Sequence, residues 1–295
     1  DAAMKWAVEA PANDPLMIIP ALAAITENLA FGVTVTTSYE HPFTHARRFS
    51  TLDHMTNGRI GWNIVTSYLS SAARNFGLEQ MIKHDDRYER AEEFMDVAYK
   101  LWEGSWADDA VVADKARQLY ARGDRVRPIN HAGEHYRVAG PHLTSPSPQR
   151  TPLLIQAGWS GRGRAFAAKH AELIFVAKSN PHEIRQGLEE IRAQALALGR
   201  PAQDVKSLTV LRIVTAKTEI EARRKYDHLQ SNYHLQAQLV SYAGDTGIDI
   251  SRYADSDALS THTEGMTSYV MRPDGSGKPL TAGDVKQRFA NVTRG

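Results

Sequence analysis

Asn63 is an amide in the middle of an apolar run, Arg59-Ile60-Gly61-Trp62-Asn63-Ile64-Val65-Thr66, that otherwise has the β-branched and aromatic content of a buried strand. A buried amide without partners costs about 1–3 kcal/mol, so Asn63 must meet backbone, another side chain or a polar ligand. Directly after it come Thr66, Ser67, Tyr68, Ser70 and Ser71, hydroxyls at the strand's C-terminal end, where parallel α/β folds seat their ligands. A strand that simply ends in a polar turn would carry the same residues. A second stretch, Gln156-Ala157-Gly158-Trp159-Ser160-Gly161-Arg162-Gly163, joins a short buried strand at Leu153 to Gln156 to a helix through Ala165, Phe166, Ala168 and Ala171. Ser160 is placed to cap that helix. Glycines let a ligand approach the backbone, and a helix start offers free N–H groups and a positive dipole end, which together suit a phosphate.

Histidines and carboxylates also gather at Lys83-His84-Asp85-Asp86-Arg87-Tyr88, ahead of a helix through Phe94, Val97, Ala98, Leu101 and Trp102. Asp85 reads as its N-cap, with Tyr88 in the first turn; one histidine beside two aspartates in a capping sequence reads as a cap and an ion pair before it reads as a metal site. His131, His135 and His142 lie without carboxylates at ligand spacing, so no metal is expected there either.

The elements that must position these groups alternate. Pro15 to about Asn28 has helical spacing behind a cap at Asn13 or Asp14, Phe31 to Thr37 reads as a strand, and Thr44 to His54 as a helix leading into the Asn63 strand. Beyond Gln156 come a strand at Ala171 to Ala177, a helix at Pro181 to Leu198, a strand at Val205 to Thr215 and a helix at Glu219 to Leu229. This repetition argues for a (β/α)8, or TIM, barrel in one domain over 1–295. Its insertions fall at about 107–149 and 231–290. The first of these is polar and turn-rich and reads as a loop region over the active face. A barrel closes with eight strands, so roughly two at the front and one at the back are expected to lie outside this text, which begins at Asp1 and stops at Asn291-Val292-Thr293-Arg294-Gly295 without a finished element.

Composition excludes other classes. The 35 basic and 34 acidic residues alternate without long blocks, so neither nucleic acid nor an anionic membrane is the expected partner. With no cysteine there is no disulfide, thiolate nucleophile or thiolate metal site. No apolar run approaches the roughly 18 residues of a transmembrane helix, and without a visible signal peptide a cytoplasmic address is expected.

The ordered motifs carry a family resemblance. His41-Pro42-Phe43, Ala46-Arg47-Arg48, Thr51-Leu52-Asp53-His54, Gly58-Arg59, Trp62 to Ser67, Asn75-Phe76-Gly77, His84 to Tyr88, Ser147-Pro148-Gln149 and Gln156-Ala157-Gly158 recur together. In these the chain resembles the flavin-dependent two-component monooxygenases of the bacterial luciferase superfamily, in the nitrilotriacetate and dibenzothiophene-sulfone branch. Asn13-Asp14-Pro15-Leu16, Leu101 to Trp106 and Pro146 to Pro152 look most like its long-chain alkane and dimethyl sulfide members. The resemblance runs from Asp1 to about Tyr253 and fades beyond it.

The resemblance implies a TIM barrel that binds FMN as FMNH2, delivered by a separate NAD(P)H-dependent flavin reductase, with O2 as co-substrate. Through a peroxyflavin, one oxygen atom would enter a small or medium apolar substrate, an organosulfur compound or an alkane. Tyr88, Ala157, Gly158 and Ser160 fall where the family holds the FMN phosphate. Asn63 falls at the isoalloxazine, with Thr36 beside the ring, and Ser67 and Tyr68 over its reactive face. Catalytic roles are expected for Tyr68 and Asn63, and substrate contacts for Glu9, Tyr68 and Trp159. At Tyr68 the alkane enzymes carry histidine, and at Glu9 both relatives carry glutamine. A phenol can donate to a peroxide but is a poor base at neutral pH, and a carboxylate beside a flavin disfavours an anionic ring unless it is protonated or paired. A homodimer or homotetramer is the family habit. The alternatives are a deazaflavin (F420)-dependent oxidoreductase of the same superfamily and a non-catalytic flavin-binding relative.

Overall fold

Alternation decides what each strand buries. In a computed structural model that describes residues 2–176, 180–211, 213–260, 269–272 and 276–292, five parallel strands form one sheet in chain order. They are β1 (Phe31–Thr36), β2 (Ile60–Val65), β3 (Leu153–Gln156), β4 (Leu173–Val176) and β5 (Lys206–Thr209). Phe31, Val33 and Val35 of β1 and Ile60, Trp62 and Ile64 of β2 are buried under the helices with Phe49, Phe94 and Trp102. The other parity, Gly32, Thr34, Gly61, Asn63 and Val65, lines the second face. There the missing side chains of Gly32 and Gly61 make room for Ile155, whose Cδ1 lies 3.1 and 3.4 Å from where their Cβ atoms would be.

The chain divides into two compact units, and the larger, Asp14–Ser67 with His84–Val210, holds the whole sheet. Its helices are α1 (Pro15–Ile25), α2 (Pro42–Thr56), α3 (His84–Tyr99), α4 (Gly161–His170) and α5 (Pro181–Ala197). Asp14 caps α1, accepting from the Leu16 N–H at 2.9 Å. The expected cap at Asp85 is corrected: α3 begins at His84, two residues before the Asp86 start that such a cap implies, and Asp85 sits in the first turn, where its carboxylate complements the helix dipole and pairs with His84 Nδ1 at 2.8 Å. The last expected strand is also shorter than Val205 to Thr215; β5 is exposed along its length, and the residues from Leu211 onward belong to the other unit. Ala177, Arg212 and Thr293 to Gly295 lie outside the described residues.

The 107–149 segment is not all loop. It forms two hairpins, Val111–Asp114 with Leu119–Ala121 and His131–Ala132 with Arg137–Val138, and it folds against α2 and α3. Glu93 of α3 accepts from the backbone N–H groups of His135 and Tyr136 at 2.9 and 2.8 Å and lies 3.0 Å from His131 Nε2. These partners hold its carboxyl, against the opposing effect of burial, down at about 2. The Tyr136 hydroxyl, donating to the Thr37 carbonyl at 3.3 Å, reaches past the end of β1. At the other edge Gln149 ties Asp53 to the Ile60 carbonyl. Glu93→Gln, which keeps one acceptor but loses the charge, should lower the stability of this unit by about 1 kcal/mol, read from urea denaturation at neutral pH.

The smaller unit, Asp1–Asn13, Tyr68–Lys83 and Leu211–Gly295, carries α6 (Glu219–Ser231), α7 (Leu235–Thr246) and α8 (Ala282–Val292). Its core joins Tyr242, Ile248, Ile250, Leu259, Val270, Leu280 and Val285. Among the described residues no helix is long and apolar enough to cross a membrane.

Candidate functional site

The C-terminal ends of β1 and β2 bring four hydroxyl residues together. Thr36 Oγ1 and Ser67 Oγ are 2.8 Å apart, the Ser38 N–H donates to Thr36 Oγ1 at 3.1 Å, and Ser38 Oγ donates to the Thr66 carbonyl at 2.7 Å. Ser67 holds a φ of 61°, a left-handed conformation that costs a non-glycine residue and is kept here by these bonds. Deeper on the same face, Thr34 stands opposite Asn63 in register, and Asn63 Nδ2 donates to Thr34 Oγ1 at 2.9 Å. Asn63 is half-buried, not enclosed as its apolar neighbours suggest, because its parity turns it away from Trp62. Its Oδ1 is nonetheless buried and has no hydrogen-bond partner among the described residues.

The glycine-rich turn completes a second group of donors. The Tyr88 hydroxyl, buried at 6% exposure, shares hydrogen bonds with Ser160, Thr66 and Gln156. Burial raises its pKa, while these bonds and Arg87 act the other way, so the phenol stays protonated and able to donate. Ser160 caps α4, accepting from the Gly163 N–H at 3.0 Å, and lies 3.4 Å from His84 Nε2. A Cβ on Gly158 would overlap Gln156 Nε2 and come within 2.7 Å of the Tyr88 hydroxyl; one on Gly163 would come within 2.9 Å of it. The two glycines thus let the turn pack directly against Gln156 and Tyr88, which sets neutral donors at a helix N-terminus, a combination that suits an anionic phosphate. Among the described residues no group of three or more His, Asp or Glu is placed to hold a metal ion.

Two further expected residues have partners of their own. Tyr68 belongs to the smaller unit, where its hydroxyl is hydrogen-bonded to Asp245. Burial first, then the nearby Asp245, Glu9 and Tyr269, push its pKa up to about 12. Trp159 sets its ring over Gly187 of α5 and packs with the Ile184 cluster. Sequence reasoning missed Thr34 as the partner of Asn63, and Thr66 and Gln156 as partners of Tyr88. The signal for Thr34 was available, since it shares the parity of Thr36.

The profile of the luciferase-like monooxygenases matches residues 2–279. The chain belongs to the luciferase-like monooxygenase family. Within it, the long-chain alkane monooxygenase of Geobacillus thermodenitrificans (strain NG80-2) is 44% identical over 288 residues, covering 97% of this chain and 66% of the relative. The dimethyl-sulfide monooxygenase of Hyphomicrobium sulfonivorans is 45% identical over 273 residues, covering 90% and 57%. Among solved structures, a riboflavin lyase crystallised with modified FMN and riboflavin superposes with a TM-score of 0.88 at 38% identity, covering 97% of this chain and 63% of its own. The chain therefore spans somewhat under two thirds of the length of these relatives, and it carries the α/β fold with a parallel sheet of the luciferase-like enzymes.

Proposed function

We propose that the protein is the oxygenating component of a two-component flavin-dependent monooxygenase. It would take FMNH2 from a separate NAD(P)H-dependent flavin reductase and oxygenate a small or medium apolar molecule, an organosulfur compound or an alkane. The observation that carries this reading is Asn63 Oδ1, a buried acceptor without a protein partner on the face of the sheet that ends in hydroxyls. Asn63 Oδ1 would accept from the N–H-bearing edge of a bound isoalloxazine. Thr34 holds one end of the Asn63 amide and leaves the other for the ligand, and Thr36 and Ser67 stand further along toward the strand ends. Tyr88, Ser160, Ala157 and Gly158 would hold the phosphate, in a cradle whose donor set suits a dianion. Bound as FMNH2, the cofactor supplies two electrons and the position where O2 reacts, so that one oxygen atom passes to the substrate and the other leaves as water.

The Tyr68 phenol, with its pKa near 12, stays protonated at neutral pH, so its role is hydrogen-bond donation and not proton abstraction. Tyr68→Phe should leave the FMN dissociation constant unchanged and lower product formed per FMNH2 consumed severalfold; a fully coupled variant would take the phenol out of the reaction. The names of the relatives at 44 and 45% identity favour oxygenation over the deazaflavin alternative. The direct test supplies the protein with FMN, a flavin reductase, NADH, 18O2 and, in turn, dimethyl sulfide and a long-chain alkane. Product carrying one 18O atom is expected; FMN binding with no labelled product from any apolar substrate would point to the non-catalytic relative.

A further inference from the structure

Gly187 stands in the middle of the seventeen-residue helix α5, where glycine costs about 1 kcal/mol relative to alanine. The structure shows what occupies the space of the absent side chain. A Cβ there would overlap Trp159 Cζ2 and lie 2.9 Å from Cε2 and Cη2, so the indole rests directly on the helix backbone. The same turn is held from its other side, because Arg164 Nη1 donates to the Trp159 carbonyl at 2.9 Å and Arg164 Nε pairs with Glu190 of α5 at 3.2 Å. Trp159 lies between Gly158 and Ser160, the two residues placed against the phosphate. Both its ring and its carbonyl are therefore referred to one helix.

We infer that Gly187 and Glu190 are positioning residues for the FMN phosphate cradle: α5 acts as the template that sets the Ala157 to Ser160 turn, through the Trp159 ring and the Arg164 clamp. This rests on the reading of that turn as the phosphate site. It also gives Trp159 a role in holding cofactor, whatever it contacts on the substrate side.

The test is an FMN fluorescence-quenching titration, with thermal melting alongside, on the wild-type protein, Gly187→Ala, Trp159→Leu and the Gly187→Ala/Trp159→Leu double variant. Gly187→Ala should weaken FMN binding about tenfold by displacing the ring and the turn with it. In the Trp159→Leu background the same methyl should change affinity less than about twofold and raise the melting temperature, because only helix propensity is left for it to act on. Glu190→Gln, a partly exposed change without risk to the fold, should weaken FMN roughly threefold through the slackened Arg164. Gly187→Ala weakening FMN equally in both backgrounds, or not at all while Tyr88→Phe/Ser160→Ala loses FMN, would overturn the template and leave the cradle standing. FMN affinity unchanged in the Tyr88→Phe/Ser160→Ala variant would remove the cradle itself, and the template with it.

Discussion

Replacing Tyr88 by phenylalanine and Ser160 by alanine together should weaken FMN binding by about two to four orders of magnitude, with the hydroxyl contacts to a charged acceptor worth roughly 1.5–3 kcal/mol each. The two residues do not carry the loss in the same way. Tyr88→Phe removes one oxygen from a buried hydrogen-bond group and leaves Thr66 and Gln156 to re-pair, so most of its effect falls on the ligand. Ser160→Ala also removes the N-cap of α4, which accepts from the Gly163 N–H at 3.0 Å, and so costs about 1 kcal/mol of stability besides. Ser160→Asp separates the two contributions. Aspartate caps as well as serine but sets a carboxylate against the phosphate, so the variant should melt like wild type and bind FMN at least as poorly as Ser160→Ala. Equilibrium titration by flavin fluorescence reads the affinities, and an Asp variant that binds FMN normally would place the phosphate away from the start of α4.

The parts of this site that are local in the chain were legible in the sequence. All five strands follow from β-branched runs and turn residues, and the cap at Ser160 from a hydroxyl three residues before Gly163, because strand parity and capping depend on neighbours only. What could not be read depends on contacts across the chain. The apolar run around Asn63 suggests full burial, yet its parity turns it to the second face of the sheet, where it is half-buried with one orphaned oxygen. The histidines of the 107–149 segment suggest solvated or hydrogen-bonded side chains, and their partners cannot be read from the chain. In the structure Glu93, some forty residues away, gathers His131 and two backbone N–H groups, and Ser50 takes His142 Nε2 at 2.9 Å. The start of α3 slips by two residues, with His84 and Asp85 pairing within the first turn. The smaller unit is assembled from three separate stretches, so no single periodic pattern announces it.

The protein should lose stability steeply between pH 7 and pH 5, before most carboxylates titrate, and His45 should account for much of the loss. Its ring is enclosed at 1% exposure by Trp62, Phe49 and Phe94, with centroids 4.0, 4.4 and 5.1 Å away, and Nε2 has no hydrogen-bond partner among the described residues. Burial first, and then Arg48, press its pKa down to about 3. The sign follows from which state takes the proton. Below its ordinary pKa of about 6.5 the unfolded chain protonates while the folded one cannot, so stability is fully present above 6.5 and is lost as pH falls toward 3. That amounts to about 2 kcal/mol by pH 5 and 4–5 kcal/mol across the whole window. His142, lowered to about 4 by burial, adds a loss of the same sign. Glu93, held at about 2, contributes only below its ordinary pKa of 4.5, so the interval from 7 to 5 isolates the histidines. His45→Met keeps an apolar, adaptable filling in the cage and removes the titrating group, so urea midpoints at pH 7 and pH 5 should converge by roughly half relative to wild type. The same pH slope in that variant would mean that the cage already admits a proton or a water, and the acid sensitivity would then rest on His142 alone.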